Sequence, residues 1–133
     1  MLYNEQKIPF RNLKSTDQVI INTQNHEYQF EILNPATRSG ILSGGRLGDN
    51  RYKAVFLFTS QGTEVRVNSN SMRTNANALF LLELNDNLAH LYTSQIKSLQ
   101  LKRDASLWET VLNPLDKLLN NTSSSNLETI PVK

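Results

Sequence analysis

The clearest pattern along the chain is an alternation of apolar and polar side chains from His26 to Ile32. Tyr28, Phe30 and Ile32 alternate there with Glu27, Gln29 and Glu31. A period of two places the first set on a core face and the second in water, the mark of a half-buried strand. Just upstream, Gln18, Val19, Ile20, Ile21 and Asn22 form an apolar, β-branched run, and Thr23, Gln24 and Asn25 are turn formers. Together these segments predict a β-hairpin. Asn34-Pro35 ends its second arm, because proline offers no N–H to a ladder and restricts the residue before it.

Further strand signals follow at short intervals. Ile41 and Leu42 suggest a short strand inside the stretch 39–50, which holds four of the five glycines. The unbroken apolar run from Ala54 to Phe58 predicts a strand covered on both faces. Gln61-Gly62 reads as a turn, and Thr63 to Val67 alternates again with Val65 and Val67 facing inward. Residues 68–77 contain four Asn and two Ser and read as a loop. Asn85, Asp86 and Asn87 separate the runs Ala78–Leu84 and Leu88–Leu101, a second hairpin. The later run changes phase between Tyr92 and Ile96 on one side and Leu99 and Leu101 on the other, which predicts a bulge or bend. Before residue 17 no period is evident, although Ile8 and Phe10 are candidate anchors to the core.

About six short strands joined by turns predict a mainly β fold. The expected architecture is a small antiparallel β-barrel, SH3-like or similar, or a sandwich; pattern alone does not separate them. After Asp104 the period lengthens. Leu107, Trp108, Val111, Leu112, Leu115, Leu118 and Leu119 recur at three- and four-residue spacing, one apolar stripe of a short amphipathic helix. Asp104 is the expected N-cap, and Asn113-Pro114 closes the first stretch and opens another turn. The expected organisation is an N-terminal extension over 1–17, a barrel over 18–103, the helix over 104–119 and a flexible tail over 120–133, where Asn, Thr and Ser dominate.

Composition narrows the class of protein. A chain of 133 residues fits one domain. Cysteine is absent, which rules out disulfides, thiolate metal sites and a cysteine nucleophile. No apolar run approaches the roughly 20 residues needed to span a bilayer. The first residues lack the basic start and apolar block of a signal peptide, so a cytoplasmic location is the default expectation.

The net charge of +2 is unevenly spread. Arg38, Arg46, Arg51, Lys53, Arg66 and Arg73 face only Asp49 and Glu64 in the middle third, making it +4, whereas each flank is −1. An anionic partner is therefore favoured at the centre. Within that region Gly44, Gly45, Arg46, Leu47 and Gly48 precede Arg51 and Lys53. Successive glycine N–H groups can form an anion nest, and arginine supplies paired charged donors. The candidate ligand-binding residues are thus Arg38, Gly44, Gly45, Arg46, Arg51 and Lys53. Neither a Walker pattern nor Gly-x-Gly-x-x-Gly is present. Tyr52 among these basic residues makes a nucleic-acid surface a related expectation.

The stretch Asn34 to Gly40 is similar to part of the signature of PilZ domains, barrels that bind cyclic di-GMP. Asn34 and Ala36 match, but Ser39 stands at the glycine position and Gly40 comes one residue late. The family's upstream Arg-x-x-x-Arg is absent, since Arg11 is followed by Ser15. The likeness covers seven residues, and no membership or function is carried over from it.

Catalysis has little material. His26 and His90 are the only histidines, and neither stands in a nucleophile or metal-ligand motif. The expectation is a non-enzymatic interaction module that needs no cofactor and no metal. Its partner would be another protein or a second copy, engaged partly through Leu107, Trp108, Val111, Leu112 and Leu115. The alternative is a nucleic acid or phosphate-containing ligand on the basic centre. A membrane partner is not expected, because the helix carries few basic residues on its polar face.

Overall fold

In the computed structural model of the protein, the described residues are 2–60, 67–68 and 70–103, with the side chains of 67 and 68 left aside. The chain divides into two compact units, Met1–Arg103 and Asp104–Lys133. The C-terminal helix expected over 104–119 and the tail after it lie outside the described residues, as do Val65 and Arg66. No helix among the described residues is long and apolar enough to cross a membrane.

Among the described residues, eleven strands build the first unit: β1 (Leu2–Glu5), β2 (Lys7–Pro9), β3 (Gln18–Thr23), β4 (Glu27–Asn34), β5 (Ser39–Gly44), β6 (Arg51–Ser60), β7 (Val67–Asn68), β8 (Ser71–Arg73), β9 (Asn77–Glu83), β10 (Leu88–Tyr92) and β11 (Ile96–Lys102). Eight of them form one antiparallel sheet in the order β1-β11-β3-β4-β5-β6-β9-β10, and β7 pairs alongside β6. β2 and β8 form a separate two-stranded ribbon.

The sheet is rolled but does not close. Three inter-strand steps separate β4 from β9, about 14 Å on a flat sheet, yet the rings of Phe30 and Phe80 lie 5.1 Å apart in an edge-to-face contact. Five steps separate β11 from β9, about 24 Å when flat. Even so, Ile96 N donates to Ala76 O at 2.8 Å, and Asn75 N donates to Ile96 O at 2.8 Å. The curl therefore brings the start of β11 against the residues leading into β9. The strand path still ends in two edges, β1 and β10, and this corrects the expectation of a barrel or sandwich. Alternating strands predict one buried face; whether that face is hidden by closure, by a second sheet or by rolling is set by long-range register that no local pattern reports.

The predicted hairpin is present as β3 and β4, with Tyr28, Phe30 and Ile32 buried and Glu27, Gln29 and Glu31 on the opposite face. β6 departs from expectation. Only Ala54, Phe56 and Thr59 are buried on it, while Val55, Leu57 and Phe58 are half-covered. A register shift between Phe56 and Phe58 interrupts its alternation. The predicted loop over 68–77 contains β8, whose Met72 is fully buried. β8 was hidden because its pairing partner, β2, lies more than sixty residues earlier, so no neighbouring segment announces it. The predicted bulge in the last run falls between Ile96 and Ser98, where the register of β11 against β3 shifts, and Thr93–Gln95 parts β10 from β11.

An aromatic column fills the rolled sheet. Phe30 meets Phe80, Phe80 meets Phe56 at 5.7 Å, and Phe56 stacks on Phe10 at 5.0 Å. Phe10, with Ile8 and Leu13, brings the N-terminal segment into the same core. The mouth of the roll is tied by Asp17, whose carboxylate accepts from Lys14 N at 2.8 Å and from Arg103 Nε and Nη2 at 2.9 and 2.6 Å. Arg103 Nη2 also donates to Asn12 O at 3.0 Å, so one guanidinium joins the end of β11 to the start of β3 and the N-terminal segment.

Phe80 touches two other rings of the column and is fully buried. Phe80→Ala is expected to cost about 3–5 kcal/mol, seen as a fall in the urea midpoint at unchanged slope. An unaltered midpoint would show that the column does not carry the core.

Candidate functional site

The six candidate ligand residues do not gather on one surface. The glycine-rich turn between β5 and β6 folds inward. Gly45 has φ +51 and lies so close to the Tyr28 ring that an added Cβ would overlap it. The next residue, Arg46, wraps the same side chain, with its backbone N and its Nε donating to Tyr28 Oη at 3.4 and 3.3 Å. Its Nη2 continues to Tyr92 O at 2.5 Å. Arg46 thus ties β4, the turn and β10 together, and its guanidinium is already occupied by protein acceptors.

Arg51 and Lys53 stand on the outer face of the sheet. Arg51 Nη2 pairs with Glu31 Oε1 at 2.8 Å, and both side chains are too exposed for that pair to add much stability. Lys53 sits across the ladder from Glu83, beside a shallow groove of about 300 Å³ lined by Leu33, Val55, Leu81 and Leu88. Neither cation forms a converging set with Arg46.

Arg38 is placed differently. The turn between β4 and β5 is fastened by Asn34 Oδ1, which accepts from Ala36 N at 3.0 Å, and by Arg38 N donating to Pro35 O at 3.2 Å. That geometry drives Arg38 to φ +57, a left-handed conformation that costs a non-glycine residue about 1–3 kcal/mol. The residue is held there by β6, since Phe56 N donates to Arg38 O at 2.9 Å and Arg38 Nε donates to Phe56 O at 3.1 Å. Backbone strain of this kind tends to collect at functional sites.

Beside Arg38 opens a cleft of about 520 Å³, lined by Phe10, Arg11, Leu13, Pro35, Ala36, Arg38 and Asn70. The short 3-10 turn Phe10–Asn12 buries Phe10 in the aromatic column and leaves Arg11 exposed next to it. The strained turn brings Arg38 into the same lining. The lining therefore holds two guanidinium groups, an apolar base and no carboxylate. Arg38 gives its Nε to Phe56 O, but neither arginine enters an ion pair among the described residues.

Of the cleft residues, the sequence pointed only to Arg38. Arg11 stands in a segment with no periodicity, and Phe10 and Leu13 carried no signal beyond their apolarity. The one available hint was the polar turn Asn34–Ser39 following a strand; what joins it to Arg11 is the fold. The proposed partner-binding residues Leu107, Trp108, Val111, Leu112 and Leu115 lie outside the described residues. Among the described residues, no group of three His, Asp or Glu is placed to hold a metal ion. No protein-family model matches the chain, and no curated protein or solved structure matches it either.

The glycine turn yields a stability test. Gly48 also has a positive φ, +62, but an added Cβ there meets nothing within 4 Å. Gly48→Ala should lose about 1–3 kcal/mol from backbone strain alone, because φ +62 with ψ −134 lies outside the left-handed helical well and suits glycine. Gly45→Ala should lose about 2 kcal/mol or more, since the Tyr28 ring must also move. A Gly45→Ala variant that loses nothing in chemical denaturation would mean that the turn does not depend on Tyr28.

Proposed function

We propose that the chain is a non-enzymatic binding module whose Phe10–Arg38 cleft takes an anionic ligand, one bearing a phosphate group together with a flat or apolar part. The observation that carries this reading is the convergence of Arg11 and Arg38 over an apolar base with no acid in the lining. A guanidinium presents two parallel donors to a phosphate, and two such groups in one lining favour it over a neutral ligand. Phe10, Leu13 and Pro35 offer a surface for a ring, and a volume of about 520 Å³ falls within the range of small-ligand sites.

Arg11 makes no hydrogen bond among those described, so Arg11→Ala removes charge with little structural cost. Arg38→Asn removes the other guanidinium while keeping a residue that tolerates positive φ. Titration with a nucleoside monophosphate and with a single-stranded oligonucleotide, followed by calorimetry, is the direct test. Each substitution should weaken binding by about tenfold or more, the worth of one charge-assisted contact, with thermal unfolding nearly unchanged for Arg11→Ala. Oligonucleotide binding should also weaken steeply as salt rises. If neither probe binds, or if the double variant binds as well as the parent, the cleft is not an anion site.

A second reading keeps the C-terminal stripe as the contact with another protein or a second copy, supported by its helical period and by its separation as a distinct unit after Arg103. Trp108→Ala in the full chain should then weaken the association about tenfold or more, as loss of an aromatic anchor does, while leaving nucleotide binding intact. An association constant unmoved by this change would remove the stripe from the interface.

A further inference from the structure

The β10 edge of the sheet presents strand-pairing groups on a strand with no Lys, Arg, Asp or Glu of its own, and Arg46 reaches its last carbonyl. Its hydrogen-bond phase follows from its neighbours. Leu84 N donates to Asn87 O and Asn87 N to Leu84 O, at 2.8 and 3.3 Å, and Thr93 N donates to Ala78 O at 2.9 Å. Since bonded and non-bonded pairs alternate along an antiparallel ladder, Ala89 and Leu91 direct their N–H and C=O groups toward β9. Leu88, His90 and Tyr92 direct theirs off the sheet. Among the described residues, one of these six outward groups already has a partner: Tyr92 O accepts from Arg46 Nη2. A carbonyl oxygen has a second lone pair and can accept once more.

Edges of this kind are normally blunted by charge, proline or a bulge. β10 reads Leu-Ala-His-Leu-Tyr and carries no Lys, Arg, Asp, Glu or Pro. The other edge, β1, differs in ending on Glu5. Leu88 is 66% exposed and Tyr92 48% exposed, and both lie on the outer face with His90. The edge therefore offers backbone bonding from three residues and large exposed side chains from two of them, Leu88 and Tyr92.

We infer that β10 is an interface between two copies of this chain, paired antiparallel about a two-fold axis at His90. The five-residue strand is symmetric in its outward groups, which fall at its first, third and fifth positions. Pairing it with itself satisfies all of them at once. His90 exchanges both bonds with the second copy's His90, and Leu88 exchanges both with the second copy's Tyr92. An isologous contact of this sort closes and does not propagate. The two flanking Leu–Tyr cross-strand pairs add apolar–aromatic contact, and no fixed charge on the strand meets its own copy. An unrelated peptide needs no such symmetry, which is why the second copy is the better occupant.

The test is molar mass by light scattering of the full chain over a concentration series, with charge placed at the axis. The parent should approach twice the monomer mass as concentration rises. His90→Glu and His90→Lys each set like charges face to face and should weaken self-association at least about tenfold. Mixing the two variants should restore a mixed dimer, which shows that both remain folded. In the parent dimer, the amides of Leu88, His90 and Tyr92 should exchange with solvent more slowly than in the variants. A parent that stays monomeric overturns the proposal. So does a dimer that survives either substitution, or variants that fail to rescue each other while both remain folded. None of these outcomes depends on the arginine cleft, whose ligand binding is read separately.

Discussion

A single sheet whose strands alternate has one apolar face and nothing of its own to lay against it. In this protein the face is hidden by rolling, and the aromatic column is what the roll closes around. Phe30, Phe80 and Phe56 come from three strands of the sheet, and their rings meet only because the sheet curls. Phe10 adds a fourth ring from outside the sheet. Ring contacts of this kind contribute about 0.5–1.5 kcal/mol each beyond the area they bury, and they also fix how tightly the strands wind. The small ribbon of β2 and β8 lies over the same core with Ile8 and Met72.

The position of the cleft follows from that core. Phe10 is shared: one side of its ring stacks on Phe56, and the residue also lines the cleft beside Arg11. Phe56 is shared in turn, because its backbone holds Arg38 in the left-handed conformation through two bonds. The two guanidinium groups are thus mounted on adjacent members of the aromatic column. Binding groups placed on packed elements are held more firmly than groups on free loops, so the cleft inherits the rigidity of the core.

Charge elsewhere is used to fasten the chain. Arg103 secures the start of β3 and the N-terminal segment through Asp17 and Asn12. Arg46 secures the glycine turn to Tyr28 and to β10. Both of these arginines look, in sequence, as available for a ligand as Arg11 and Arg38. What separates them is whether protein acceptors already surround the guanidinium, and that is a property of the folded chain.

Local pattern was enough to place β3, β4 and β9, strict alternation marking β4 and apolar runs the other two, because such patterns are a property of adjacent residues. It was also enough to name Tyr28, Phe30 and Ile32 as core, since a strand that faces water on one side must bury the other. Turn chemistry located the two hairpins for the same reason. The tertiary structure decided everything that depends on residues far apart in the chain. It determined that the sheet rolls without closing, that β8 pairs with β2, and that Arg46 is spent on Tyr28. It also brought Arg11 to Arg38, a meeting that no spacing encodes, because it is produced by the register of several strands acting together.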